Sequence, residues 1–158
     1  MIVTPSYEGL VVVHAANPEV KLGVGHDPEL PGELALFVEY PKPSGDPAGR
    51  DVWCDVEKRD WTAGRAILFS VKPAHAVRLS LSFLDRNRVA YTAWMDLVGG
   101  AWQPVRIAFD QIQPNPYFQL PGVKTGMPID VSEIRRIGFA PHDETSGSLS
   151  ISSFLIGE

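Results

Sequence analysis

The chain has 158 residues, of which 44% are hydrophobic and 21% charged, a composition typical of one globular domain. Its net charge is -5 and it contains no basic run, so nucleic acid is not an expected partner. No apolar run is long enough to cross a membrane, so no membrane partner is expected either, and the first residues do not resemble a signal peptide. The single cysteine, Cys54, excludes an internal disulfide and a cysteine-based zinc site. These features leave the cellular compartment open.

The predicted elements are almost all short strands. Fourteen proline and fourteen glycine residues favour turns over helices. Period-two alternation of apolar and polar residues predicts strands over 10–14, 20–25, 33–40, 51–58, 65–72, 79–83, 89–97, 105–109, 135–141 and 149–156. The last strand keeps its apolar face only if a bulge occurs at Ser152-Ser153. Residues 110–129 predict an irregular loop, and 130–134 one helical turn capped by Asp130.

Closely spaced strands joined by turn residues, with no helices between them, are typical of an all-β sandwich or barrel. One such domain accounts for residues 1–158, with 1–19 as a lead-in and first strand. A doubly wound parallel sheet is not expected, because it requires a helix after most strands.

The order of several segments resembles a known group of proteins. "GELALFVEY" is followed by a Pro/Gly loop, "DW", "ILFSVKPAHAVRLSLSFLD", "AWQPVRIAFDQI", a long loop and "IDVSEIRRIGF". Residues 20–156 thereby resemble the galactose-binding-like jelly roll, especially carbohydrate-binding modules of the family 11 type. They are also similar to the domain of the complex I intermediate-associated proteins. The resemblance implies a jelly-roll β-sandwich of two antiparallel sheets and a glycan-binding function without catalysis.

The resemblance also implies which residues form the framework. It assigns core positions to Trp61, Trp102, Phe109, Ile134, Ile137 and Phe139. Members of the superfamily often carry an acidic residue near the last strand that helps to bind a structural calcium. Ser152 and Ser153 occupy those places here, which argues against such a calcium, and no other cofactor is expected.

The polar faces of the strands hold the candidate ligand-binding residues. Trp53 shares a face with Asp55, and Trp94 shares a face with Thr92 and Asp96. An indole can stack on the apolar face of a sugar while polar groups bind its hydroxyls. If both strands belong to one concave sheet, these residues form a platform for an oligosaccharide or polysaccharide. The alternative is that the tryptophans pack beneath loops.

Three further residues complete the predicted site. Ser80 has the same parity as its strand's other polar residues, and Arg106 and Arg136 are candidates for hydrogen bonding to sugar hydroxyls.

Two other functions remain open. One is a protein-interaction or assembly domain of the same fold, in which the aromatic face contacts a polypeptide, a second copy of the chain or a neighbouring catalytic domain.

The other open function is a glycan hydrolase, which needs two carboxyl groups at a fixed separation and for which Asp55, Glu57 and Asp96 are the candidates. No pattern of a metal site or a nucleophile accompanies them, so the prediction is a binding domain with no catalytic residue. His142-Asp143-Glu144 is interpreted as a solvated turn, and Cys54 as a small buried hydrophobic residue.

Overall fold

Two antiparallel sheets lie face to face around one hydrophobic core. The computed structural model describes residues 2–6, 9–45 and 49–158, with the backbone alone at 2–6, 9–12, 57 and 58. The strands are β1 (Ile2–Ser6), β2 (Gly9–Ala15), β3 (Lys21–His26), β4 (Leu34–Tyr40), β5 (Val52–Arg59), β6 (Ala66–Pro73), β7 (Val77–Asp85), β8 (Ala90–Leu97), β9 (Gln103–Ala108), β10 (Gln113–Pro114), β11 (Ile134–Pro141), β12 (Gly147–Ile151) and β13 (Leu155–Gly157). A 3-10 turn covers Phe109–Gln111. No helix in these ranges is long and apolar enough to cross a membrane.

The first sheet has the strand order β1-β2-β5-β11-β7-β8-β10, and the second has the order β13-β6-β12-β4-β3 with β9 also paired to β6. All of their strand pairs are antiparallel. The predicted class, an all-β jelly-roll sandwich of two antiparallel sheets, is confirmed by this arrangement.

The core lies between the sheets because each strand turns alternate side chains inward. On β7, Leu79, Leu81 and Phe83 are buried, while Arg78 on the opposite parity is exposed. The second sheet contributes buried residues of the same kind, such as Ile67 and Phe69. The predicted framework residues Trp61, Ile134, Ile137 and Phe139 are buried, and Phe109 stacks on Trp61 with ring centroids 6.2 Å apart.

Trp102 lies elsewhere than its core assignment predicts. It is half-buried just before β9, with the Lys72 ammonium 5.6 Å from its ring centroid. On β6, Phe69 and Val71 are buried, so Lys72 has the outward parity and Trp102 flanks the outer side of the second sheet. The core assignment came from the resemblance; on β9 itself Ile107 is buried and Val105 packs against the core, as alternation predicts.

Three local predictions differ from the structure, and one is met. The loop predicted over 110–129 contains a two-residue strand, β10. Residues 130–134 form a turn rather than a helical turn, because the Asp130 carboxylate accepts the Ser132 N–H at 3.1 Å and the Val131 carbonyl accepts the Trp61 N–H at 2.8 Å. The lead-in contains an additional strand, β1. The irregularity expected at 152–153 is present: β12 ends at Ile151, and the Ser152 hydroxyl replaces a backbone acceptor for the Ser70 N–H at 2.8 Å.

Candidate functional site

The outer face of strands β5, β11, β7 and β8, here called the platform, collects most of the predicted site. Residues opposite each other in a ladder point to the same side of a sheet. The row Trp53, Gly138, Ser82 and Thr92 crosses all four strands. Asp55 pairs with Arg136, Ser80 with Trp94, and Arg78 with Asp96. All predicted site residues except Arg106 therefore share this face.

The first group on the platform surrounds Trp53. Arg136 Nε donates to Asp55 Oδ1 at 2.7 Å, and Arg136 Cζ lies 5.7 Å from the centroid of the Trp53 ring. On the other neighbouring strand, His14 stacks against Trp53 with ring centroids 5.9 Å apart. Trp53 is half-buried, whereas Asp55 and Arg136 are exposed. The indole thus has an arginine and an imidazole as neighbours.

The second group surrounds Trp94, which is 39% exposed. Arg78 Nε lies 3.5 Å from Asp96 Oδ1, and Arg78 Cζ lies 5.5 Å from the Trp94 ring centroid. The His142 ring centroid is 4.5 Å from that of Trp94, and His142 Nε2 shares a hydrogen bond of 2.7 Å with the Ser80 hydroxyl. The second group therefore repeats the indole, arginine, aspartate and histidine of the first.

Small side chains form the floor between the two groups. Gly138 lies opposite both Trp53 and Ser82. A Cβ at Gly138 would lie 2.8 Å from the Ser82 hydroxyl and 3.0 Å from the Val52 carbonyl oxygen, closer than side chains normally pack. Thr92 is buried, and its hydroxyl donates to the Leu81 carbonyl at 2.9 Å. The side chains of the floor are therefore short, and the Thr92 hydroxyl is bonded to the backbone and does not face a ligand as a free group.

The arginines partly cover the indoles. Each guanidinium lies close to the ring that a sugar would stack on, so stacking requires the arginine to move aside. Both arginine side chains are well exposed, 57% for Arg78 and 47% for Arg136. Exposed ion pairs contribute only about 0–1 kcal/mol, so this movement costs little.

Arg106 lies apart from the platform. It belongs to β9, pairs with Leu68 in the second sheet, and donates to the Glu158 carbonyl at 3.2 Å. Alternation within a strand shows which residues share a face, but it does not show which sheet the strand joins. The structure therefore does not bring Arg106 together with the other predicted residues.

Three side chains of the platform go beyond those predicted from the sequence: Arg78, His14 and His142. Arg78 has the same parity as Ser80, so alternation could have found it. His14 and His142 required knowledge of the strand order, because they contact Trp53 and Trp94 from other parts of the chain.

The loop that carries His142 is fixed by a buried arginine. Arg50 is 8% exposed, and its guanidinium donates to Asp143 Oδ1 at 3.0 Å and to the carbonyls of Pro141 at 3.2 Å and Thr145 at 2.9 Å. His75 Nε2 lies 2.8 Å from Asp143 Oδ2. This clamp holds residues 141–145 and thereby positions His142 against Trp94.

The Asp143 carboxyl group and the His142 imidazole, both at this end of the platform, have shifted pKa values. Burial opposes ionisation of Asp143, but hydrogen bonds from His75 and Arg50 outweigh it and hold its pKa below the ordinary value. His142 is exposed at its rim, yet its ring packs on Trp94 and the resulting loss of hydration lowers the imidazole pKa below 6.5, against the opposing charge of Asp51. This shift favours the neutral form of the His142 imidazole.

The turn at 142–144, interpreted from the sequence as a solvated turn, engages two of its three residues in these contacts. Within the described residues, no group of three or more His, Cys, Asp and Glu side chains is arranged to hold a metal ion. Cys54 is partly buried against the core, as its parity predicts.

Comparisons with known proteins bear on the fold. No protein-family model matches the sequence, and no curated protein matches it. Among solved structures, the family 11 carbohydrate-binding module of a cellulosomal cellulase of Clostridium thermocellum is similar with a TM-score of 0.71 and 18% identity, over 97% of this chain and 92% of that one. The chain has the galactose-binding-like fold of carbohydrate-binding modules.

Two further structures support the same fold. A family 11 module of Clostridium thermocellum in complex with a β-1,3-1,4-mixed-linked tetrasaccharide has a TM-score of 0.71 and 16% identity, over 98% of this chain and 94% of that one. A family 30 carbohydrate-binding module has a TM-score of 0.64 and 13% identity, over 99% and 84%. At these identities the likeness concerns the fold alone.

Proposed function

We propose that this domain binds a glycan chain across the platform and does not catalyse its cleavage. One observation carries the proposal: a single sheet face presents two tryptophans, each beside an arginine–aspartate pair, on either side of a floor of small residues. The similar module that holds a mixed-linked tetrasaccharide supports a glycan as the class of ligand.

The chemistry of the groups suits a sugar. A pyranose ring has an apolar face, which an indole can cover, and a rim of hydroxyls, which need both donors and acceptors. Trp94 supplies the exposed indole, Arg78 supplies N–H donors, and Asp96 supplies acceptor oxygens. Trp53, Arg136 and Asp55 supply the same three functions at the other end.

Hydrolysis by two carboxyl groups is not supported by the platform. Asp55 and Asp96 are three strands apart and offset by six residues along the strands, which places their backbones about 25 Å apart. Glycosidases hold the two carboxyl groups within roughly 5–10 Å. The side chain of Glu57, the third predicted candidate, lies outside the described residues.

The Ser80–His142 hydrogen bond is the contact that an activated nucleophile needs. However, β7 is paired on both sides, to β11 and β8, so the backbone N–H groups around Ser80 are used in the ladders. No free pair of N–H groups remains beside Ser80 to stabilise an oxyanion. We therefore propose that the Ser80 hydrogen bond positions the His142 ring beneath a ligand.

A protein partner is the second candidate, and a separate feature favours it. Tyr117, Phe118 and Met127 are exposed by 85%, 57% and 67% on the loop that follows β10. Exposed apolar groups of this size on one loop are typical of protein contacts, including contacts between two copies of a chain or with a catalytic domain. A Tyr117→Ala/Phe118→Ala variant that loses self-association in sedimentation measurements would support this role.

The glycan proposal is tested by screening the protein on an array of neutral and acidic glycans, followed by calorimetric titration. We expect binding to a soluble β-glucan, and a loss of affinity of about 30-fold or more in Trp94→Ala, as for a residue at the centre of an interface. Arg106→Ala, an exposed change on the second sheet, is the control and should bind normally. Absence of binding to every glycan on the array would reject the proposal.

A further inference from the structure

The two groups on the platform are related by a local two-fold axis. Each consists of a tryptophan, an aspartate two residues later on the same strand, and an arginine opposite that aspartate on the adjoining inner strand. The first triad is Trp53, Asp55 and Arg136, on β5 and β11. The second triad is Trp94, Asp96 and Arg78, on β8 and β7.

The strand directions supply the rotation. Three antiparallel pairings separate β5 from β8, so these strands run in opposite directions, as do β11 and β7. The register places the axis between β11 and β7. A half-turn about it exchanges Gly138 with Ser80 and Ala140 with Ser82, as well as the two triads. The exchanged floor residues correspond in backbone position but differ in side chain, and the Ser80–His142 hydrogen bond has no counterpart at Gly138, so the chemical equivalence is confined to the triads.

The spacing suits an oligosaccharide rather than one sugar. Trp53 and Trp94 are separated by three strand spacings, about 14 Å, and by two residues along the strands, about 7 Å, which gives about 16 Å diagonally. A ligand that contacts both indoles must span this distance over the small residues Gly138 and Ser80.

The charges of the triads cancel. Arg136 is paired with Asp55 at 2.7 Å, and Arg78 lies 3.5 Å from Asp96, so each triad is neutral as a whole. Because each triad is neutral, it offers an acidic glycan no excess positive charge to offset the hydration that the ligand's anionic groups lose on binding. The triads therefore favour an uncharged glycan.

We propose that the platform binds an uncharged glycan in both chain directions, because the two-fold relation of the triads offers a tryptophan, an aspartate and an arginine to either end of the chain. This inference rests on the proposed glycan binding. A polysaccharide has distinct reducing and non-reducing ends, but reversing it brings a sugar ring and its hydroxyls to each triad in either case. The consequence is a domain that binds a glycan chain without distinguishing its reducing end from its non-reducing end.

The test follows the four indole N–H signals in nuclear magnetic resonance spectra of the whole chain, assigned by single Trp→Phe changes. The probe is a β-1,3-1,4-mixed-linked tetrasaccharide with a nitroxide at its reducing end, and then the same sugar with the nitroxide at its non-reducing end. Paramagnetic relaxation falls with the sixth power of distance, so the ratio of the rates at Trp53 and Trp94 reports the direction of the chain. Trp61, in the core, and Trp102, beside the second sheet, are internal controls.

If both directions are populated, the Trp53-to-Trp94 ratio stays the same when the label changes ends. If one direction is bound, the ratio inverts, which overturns the inference and leaves glycan binding intact. If neither the unlabelled tetrasaccharide nor any other glycan on the array shifts an indole signal, the proposed function fails together with the inference. If another neutral glycan binds, that glycan, labelled at each end in turn, replaces the tetrasaccharide as the probe. Tighter binding of an acidic tetrasaccharide than of the neutral one would overturn the assignment of an uncharged ligand.

A matched pair of variants gives a second measurement. Arg78→Ala and Arg136→Ala remove equivalent groups, so each should change the affinity for the tetrasaccharide by the same factor, within about threefold. A difference of more than about tenfold would show that one triad carries the binding, which contradicts the equivalence of the two ends.

Discussion

Replacing Arg50 with methionine should destabilise the protein by about 3–5 kcal/mol, because it removes the buried guanidinium that binds the Asp143 carboxylate and the neighbouring carbonyls, and leaves His75 as the basic group that still contacts Asp143. Arg50 is 8% exposed, and its guanidinium makes five hydrogen bonds to the loop segments around it, to Asp143 Oδ1 and the carbonyls of Pro41, Pro141, Asp143 and Thr145. Its Cζ also lies 5.1 Å from the Tyr40 ring centroid. Methionine preserves part of the side-chain volume, so the loss measures the polar contacts.

The assay is urea unfolding followed by far-ultraviolet circular dichroism. Arg50→Lys is the comparison: it keeps the charge but cannot form the fork of hydrogen bonds, so it should lie between the wild type and Arg50→Met. A double variant, Arg50→Met/Asp143→Asn, removes both charges and should recover part of the loss. A destabilisation below about 1 kcal/mol in Arg50→Met would refute the view that this pair fixes residues 141–145.

Three further predictions test separate contacts. The difference in stability between the wild type and Asp143→Asn should be largest above pH 3.8, the ordinary pKa of Asp, and should disappear as the pH falls through the lower pKa of Asp143 in the folded state. Urea titrations at several pH values measure this difference. A difference that does not change with pH would contradict the lowered pKa. Gly138→Ala should lower the free energy of unfolding by about 1–3 kcal/mol, because the added Cβ would crowd the Val52 carbonyl. Gly23→Ala, where nothing lies within 4 Å of the added Cβ, should change it by less than about 0.5 kcal/mol. Equal effects of the two changes in urea unfolding would refute the crowding. Burial raises the pKa of Cys54 to about 11 from 9.0, so alkylation by iodoacetamide at pH 8 should be about 100-fold slower in the folded protein than in urea, and equal rates would contradict it.

Alternation was sufficient to predict most of the strands, though not β1 and β10, and the residues that share a face within each strand. Trp53 with Asp55, and Trp94 with Asp96, follow from period two alone, since successive side chains point to opposite sides. Burial of the opposite parity, as at Leu81, confirms the assignment of faces.

Strand order and register are not contained in such a pattern. The pairing of Arg136 with Asp55 joins residues 81 positions apart, and nothing local to either strand specifies it. For the same reason Arg106 was grouped with a sheet to which its strand does not belong. His142 reaches Trp94 through contacts between distant parts of the chain: its N–H donates to the Arg78 carbonyl at 2.8 Å, and Arg50 binds the adjoining Asp143.

Titration of the protein with unlabelled mixed-linked tetrasaccharide, observed through the four indole N–H signals, tests glycan binding on the platform most directly. The proposal predicts that the Trp53 and Trp94 signals move together along one binding curve, while those of Trp61 and Trp102 stay in place. Movement of Trp102 without the two platform tryptophans would place any glycan site on the other sheet and contradict the proposal.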